Sequence, residues 1–196
     1  MSVRRLIRGR PLFRTLLVSL CPLALAGLPA PASAQSPLDN ESPGAAELRS
    51  AMVRVARNPQ DGEALLDAGN AALRMGDASA AEDFLRRAER LSPANGRVKA
   101  ARGAAAARRG DAAQALALFA EAERLGVPTR SFAADRALAY DLIGQFGRAD
   151  AEYRLARGAA DSEALVVSHA ISQALAGRKA EADTLLDPLL RRNNPG

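Results

Sequence analysis

A glycine recurs along this chain at residues 76, 110, 144 and 177, and an alanine follows each one five residues later, at Ala81, Ala115, Ala149 and Ala182. The glycine spacings are 34, 34 and 33 residues. A fixed period of that length marks a stack of like supersecondary units rather than one globular core. It also bears on function, because stacked helical units present an extended surface more readily than they enclose a reaction centre.

The 196 residues leave room for four or five such units. A net charge of +5 invites a search for nucleic acid or anionic lipid, but its distribution answers otherwise. Arg4, Arg5, Arg8, Arg10 and Arg14 fall within the first 34 residues, which contain no Asp or Glu, and the rest of the chain is balanced. That leader has the order of an export signal: a basic stretch, an apolar run from Leu16 to Ala26, then Ala32-Ser33-Ala34, the small-residue pattern of a cleavage site. The apolar run is short and broken by Pro22 and Gly27, so no stable membrane span is expected after cleavage. Cys21, the only cysteine, leaves with the leader, so the mature protein is expected to form neither disulfide nor thiolate metal site. The expected location is the periplasm.

Residues 35–44 are rich in turn formers and read as a disordered lead-in. Over 45–58 the apolar residues Leu48, Met52 and Val55 take helical spacing, and Asn58-Pro59 stops the helix. The first full unit, 62–95, reads as two helices joined at Gly76, with Asp77 placed to cap the second helix and Pro93 to end it. Further units follow over 96–129, 130–161 and 162–192, so that repeats fill 59–192.

Gly69, Gly76, Ala81, Leu85, Ala88 and Pro93 stand in the order of the tetratricopeptide repeat, which this chain resembles over about residues 45–192. The resemblance implies an all-α, right-handed solenoid of about four helical hairpins plus one N-terminal helix. There are departures. Leu65, Lys99, Ala133 and Val166 stand where the family places an early Trp, and Lys99 is a poor core residue. Pro188 falls inside the last helix.

The resemblance also implies that the first helix of each hairpin lines a concave groove. Inward positions are then Glu63, Leu66, Asp67, Asn70 and Arg74, followed by Arg97, Ala100, Ala101, Ala104 and Arg108. Ala134, Asp135, Leu138 and Asp141 come next, then Val167, Ser168, Ile171 and Leu175. The family's clamp on a peptide carboxylate needs Lys and Asn where this chain has Leu66 and Ala101, so that clamp is not expected here. The peptide-binding residues expected instead are Asn70, Arg74, Arg97, Arg108, Asp135 and Asp141, suited to a segment with an acidic portion. The last hairpin has no evident polar cap beyond Leu185, Leu186, Leu189 and Leu190, which points to self-association or docking at that end.

No set of residues reads as a catalytic centre, and no cofactor or metal is expected. His169 is the only histidine, its neighbour Ser168 points elsewhere on a helix, and it is expected to be packed or half-exposed. Basic residues are not interleaved with aromatics, so no nucleic-acid partner is expected. The expected role is a non-catalytic adaptor holding a segment of an envelope protein. A narrower alternative is an accessory factor for assembling a pilus or secretion machine, and a rival of another class is a hydrolase on a helical scaffold.

Overall fold

The computed structural model describes residues 43–157 and 162–193, all within one compact unit of residues 37–196. The export signal read over 1–34 and the lead-in up to residue 42 lie outside the described residues. Among the described residues there are nine α-helices and no strand. They are α1 (Pro43–Arg57), α2 (Gly62–Arg74), α3 (Ala78–Leu91), α4 (Gly96–Arg108) and α5 (Ala112–Arg124). After a single 3-10 turn at Thr129–Ser131 come α6 (Ala133–Leu142), α7 (Phe146–Arg157), α8 (Glu163–Leu175) and α9 (Lys179–Asn193). The fold is an all-α helical repeat in which α2–α3, α4–α5, α6–α7 and α8–α9 pair as hairpins behind the extra helix α1.

Each hairpin turns in the same way. Gly76 sits at φ +82° and Gly110 at φ +88°, a left-handed conformation that an L side chain resists. Around the first turn the Gly76 N–H donates to Leu73 O and the Asp77 N–H to Ala72 O, which satisfies the last carbonyls of α2. The same pair of bonds recurs at Gly110-Asp111, Gly144-Gln145 and Gly177-Arg178. Asp77 and Asp111 then serve the next helix too, accepting from the backbone N–H of Ala80 and Gln114. One residue closes one helix and caps the next, so the turn is short and the period is held.

Within a hairpin the helices approach closely because a small residue faces a large one. A Cβ built on Gly103 would lie 2.6 Å from Phe119 Cε1, and one on Gly69 would lie 2.5 Å from Leu85 Cγ. Phe119 in turn stacks on Phe132 of the following unit with centroids 5.0 Å apart. Burying such a ring contributes about 1.5–3 kcal/mol, which makes it a principal tie between the second and third hairpins.

Two details differ from the sequence-based expectation. The buried stripe of α1 is Ala51 and Val55 with Leu48 half-buried, whereas Met52 is 41% exposed, because α2 covers only one flank of α1. Helix α1 also begins at Pro43, inside the segment read as lead-in. Helix α9 continues through Pro188, whose exposed position spares the core.

Candidate binding groove

The first helices α2, α4 and α6 carry residues that together line a hollow of about 320 Å³. Ala100, Ala101 and Ala104 form its small-residue floor, and Leu73, Val127 and Phe132 supply apolar wall. Asn70, Arg74, Arg97, Arg108 and Asp135 add the polar rim. Five of the six residues expected from sequence therefore meet at one place.

Asp141 does not join them. Its carboxylate accepts from Tyr153 Oη at 2.9 Å and from Ser172 Oγ at 2.6 Å, so it is spent on tying α6 to α7 and α8. Leu66 also leaves the groove. It is fully buried in the core shared by α2, α3 and α4, because the inward stripe of α2 is narrower than the face assigned from sequence.

The rim charges are paired. Arg97 Nη1 donates to Glu63 at 2.9 Å, and Arg74 donates to Glu47. Arg108 Nη2 meets Asp135 at 3.0 Å while its Nη1 donates to the Leu73 carbonyl at 2.6 Å. These pairs differ in how firmly they are held. Arg74 and Arg97 stand half-exposed in exposed pairs, which are worth about 0–1 kcal/mol and exchange easily for another carboxylate. Arg108 is fixed by a carbonyl and a carboxylate together, so it shapes the wall.

A second polar system, at the joints between hairpins, escaped the sequence reading. Glu82 on α3 accepts from Arg102 on α4, Nη2 to Oε1 at 2.6 Å, with both side chains largely buried. Arg102 also donates to Glu89. Lys99 lies beside them with its Nζ 2.7 Å from both Glu89 and Glu121, which explains how a lysine replaces a core aromatic. The hydrogen bonds that Lys99 donates to Glu121 and then to Glu89 raise its pKa against the opposing desolvation. The Glu121 carboxylate is lowered first by its hydrogen bond to Lys99.

One period on, Arg136 reaches Glu123 at 3.2 Å and Glu152 at 2.8 Å while lying over the Phe132 ring at 5.2 Å. At the third joint the same place belongs to His169. It is buried, stacks on Tyr153 at 5.2 Å, and lies 2.7 Å from Asp150 through Nε2. The carboxylate can only accept while ionised, so Nε2–H is the donor. Gln173 donates to the same oxygen at 2.5 Å and is held in turn by Arg178. Asp150 sits two periods after Glu82, and Arg102, Arg136 and His169 follow one another at 34 and 33 residues. That register was the signal available in the sequence.

Among the described residues no group of three His, Cys, Asp or Glu is placed to hold a metal ion, and no helix is long and apolar enough to cross a membrane.

The arrangement is similar to solved structures. A tetratricopeptide-repeat protein of Thermus thermophilus is 23% identical, with 73% of this chain and 79% of that one covered at a TM-score of 0.59. A double mutant of MamA is 18% identical over 76% and 86% of the two chains, TM-score 0.56. Another MamA structure is 17% identical over 71% and 77%, TM-score 0.51. No family model matches the chain, and no curated protein matches it. The fold is thus that of the tetratricopeptide repeats.

Proposed function

We propose that this protein is an exported, non-catalytic adaptor whose groove holds a peptide segment of a cell-envelope protein. The observation that carries the reading is the meeting of Asn70, Arg74, Arg97, Arg108 and Asp135 around an alanine floor. Ala100, Ala101 and Ala104 leave space for a bulky side chain of the ligand, whose burial supplies affinity. An acidic residue of the ligand replaces Glu47 or Glu63 at Arg74 or Arg97, at little cost because those pairs are exposed. Charge then sets orientation and on-rate, while the apolar floor sets the dwell time. The leader with Arg4, Arg5 and Ala32-Ser33-Ala34 supports export, and removal of 1–34 leaves a charge-balanced chain.

The test has two arms. Periplasmic extraction followed by N-terminal sequencing should recover protein beginning at Gln35. Crosslinking from residue 101, in a variant carrying a photoreactive amino acid there, should trap an envelope protein. Arg74→Glu together with Arg97→Glu should reduce that yield at least about tenfold with helicity unchanged. A full yield from the reversed variant would place the binding site elsewhere.

A further inference from the structure

We propose that the open end of the stack, between α8 and α9, seats one amphipathic helix of a partner protein. It would be held as α4, α6 and α8 are held at the three joints within this chain. The proposal rests on the repeat register and not on the groove. At each internal joint a first helix lies across the preceding hairpin and covers fixed positions. Its middle turns bring a hydrogen-bond donor to an acid of the preceding second helix: Arg102 to Glu82, Arg136 to Glu123 and His169 to Asp150. Its later turns reach the end of the preceding first helix: Arg108 to the Leu73 carbonyl and Ser172 to Asp141.

The last hairpin repeats those positions with no helix over them among the described residues. Asp183 is the counterpart of Glu82 and Asp150, yet its side chain is 59% exposed where theirs are 9% and 16%. Leu186 is half-buried where its counterparts Leu85, Phe119 and Tyr153 are buried. Ala174, the counterpart of Leu73 and Asp141, is exposed. Ile171, Ala174, Gly177, Ala182, Asp183 and Leu186 line a hollow of about 400 Å³ that is mostly apolar. Ile171, Leu175 and Leu190 stand 55%, 63% and 63% exposed nearby. A row of apolar positions with one acid at its edge is the imprint of the helices that fill the first and third seats, while at the second Leu116 stands in the acid's place.

The occupant's chemistry follows from those helices. Val98 with Arg102, Phe132 with Arg136, and Leu165 with His169 each set an apolar residue four positions before a hydrogen-bond donor, a guanidinium in the first two. Such a helix would place its apolar residues on Leu186 and Ala182 and its cation on Asp183, displacing Lys179, now paired with Asp183 at 2.6 Å in an exposed contact. Among its described helices a second copy has none of this kind to offer. Its α2, α4, α6 and α8 are already packed, and the like run on α1, Val53 to Arg57, ends that helix with no later turns to cover Ile171 and Ala174.

The probe is a helix-stapled synthetic peptide with the sequence of residues 95–109, which carries Val98 and Arg102, titrated into the full protein by fluorescence anisotropy. Saturable binding is expected. Leu186→Glu should abolish it and Asp183→Lys should weaken it roughly tenfold. A peptide carrying Arg102→Glu should bind the unaltered protein weakly and the Asp183→Lys protein well. Arg74→Glu with Arg97→Glu should leave all of this unchanged, which separates the seat from the groove. No saturation by about 1 mM, or binding indifferent to Leu186→Glu and Asp183→Lys, overturns the proposal. So does a protein that sediments as a dimer and reverts to monomer in Leu186→Glu, since a second copy would then be the occupant.

Discussion

The first and third joints of this stack occupy the same place in the repeat and solve it with different chemistry. At the first, Arg102 is held between Glu82 and Glu89, with Lys99 and Glu121 alongside, so two cations face three carboxylates in a largely buried layer. At the third, His169 gives one hydrogen bond to Asp150 and stacks on Tyr153, and Gln173 supplies the second donor. The period demands an acid on a second helix and a donor on the next first helix. It does not demand a particular donor. A guanidinium adds several bonds but leaves the buried Glu82 carboxylate wholly dependent on it, whereas an imidazole with an amide beside it spreads the same task over two weaker groups.

The sharpest way to break this comparison is to remove the donor at each joint. Arg102→Ala strips Glu82 of its guanidinium partner inside a layer with little water, and the loss of stability is expected to reach about 3–5 kcal/mol. Urea unfolding near neutral pH measures it. Adding Glu82→Leu should return most of the loss, since the cost is the stranded carboxylate and not the missing attraction. A single-variant loss below about 1 kcal/mol would mean that Glu82 reaches solvent and that the layer is no buried network.

His169→Ala is expected to cost less, about 2–3 kcal/mol, although His169 is at least as buried as Arg102. Asp150 keeps Gln173 and also Arg154 at 2.9 Å, so no charge is stranded. The loss comes from the emptied ring site against Tyr153. His169→Gln, which restores a donor of similar length, should recover part of it. Equal losses at the two joints would show that packing, not the stranded acid, sets the cost.

How much of this was legible in the sequence follows from what the period records. Turn glycines and close-approach glycines such as Gly103 recur because backbone geometry permits few alternatives, so the hairpins could be read directly. The groove was legible down to Asn70, Arg74, Arg97, Arg108 and Asp135, because inward positions follow from the same register. Asp141 was misplaced since a helix face is wider than a groove, and its inner flank was claimed by Tyr153 and Ser172 from the next two helices. The joint charges were the least legible. Arg102 and Glu82 are 20 residues apart, and each looks like an ordinary surface residue until a neighbouring helix covers it.

The smallest expected effect also sharpens the comparison, because it divides the response to alkali between the two joints. Burial, and then the neighbouring Asp141 charge, raise the Tyr153 pKa well above that of an exposed phenol. Above about pH 10 the unfolded chain therefore gives up this proton before the folded one does. The folded state then binds more protons than the unfolded state, so stability falls as pH rises. Lys99, also raised, loses its pairing with Glu121 and Glu89 over the neighbouring range, and with the same sign. Tyr153→Phe removes the bond to Asp141 Oδ2 but leaves Ser172 on Oδ1, so the expected loss at neutral pH is about 1 kcal/mol. In alkali the variant should close that gap, because it has no phenol to ionise. Unfolding measured from about pH 8 to pH 11 should thus show a shallower decline in Tyr153→Phe, with the remainder removed by adding Lys99→Met. A decline as steep as that of the unaltered protein would assign the alkaline response wholly to the first joint.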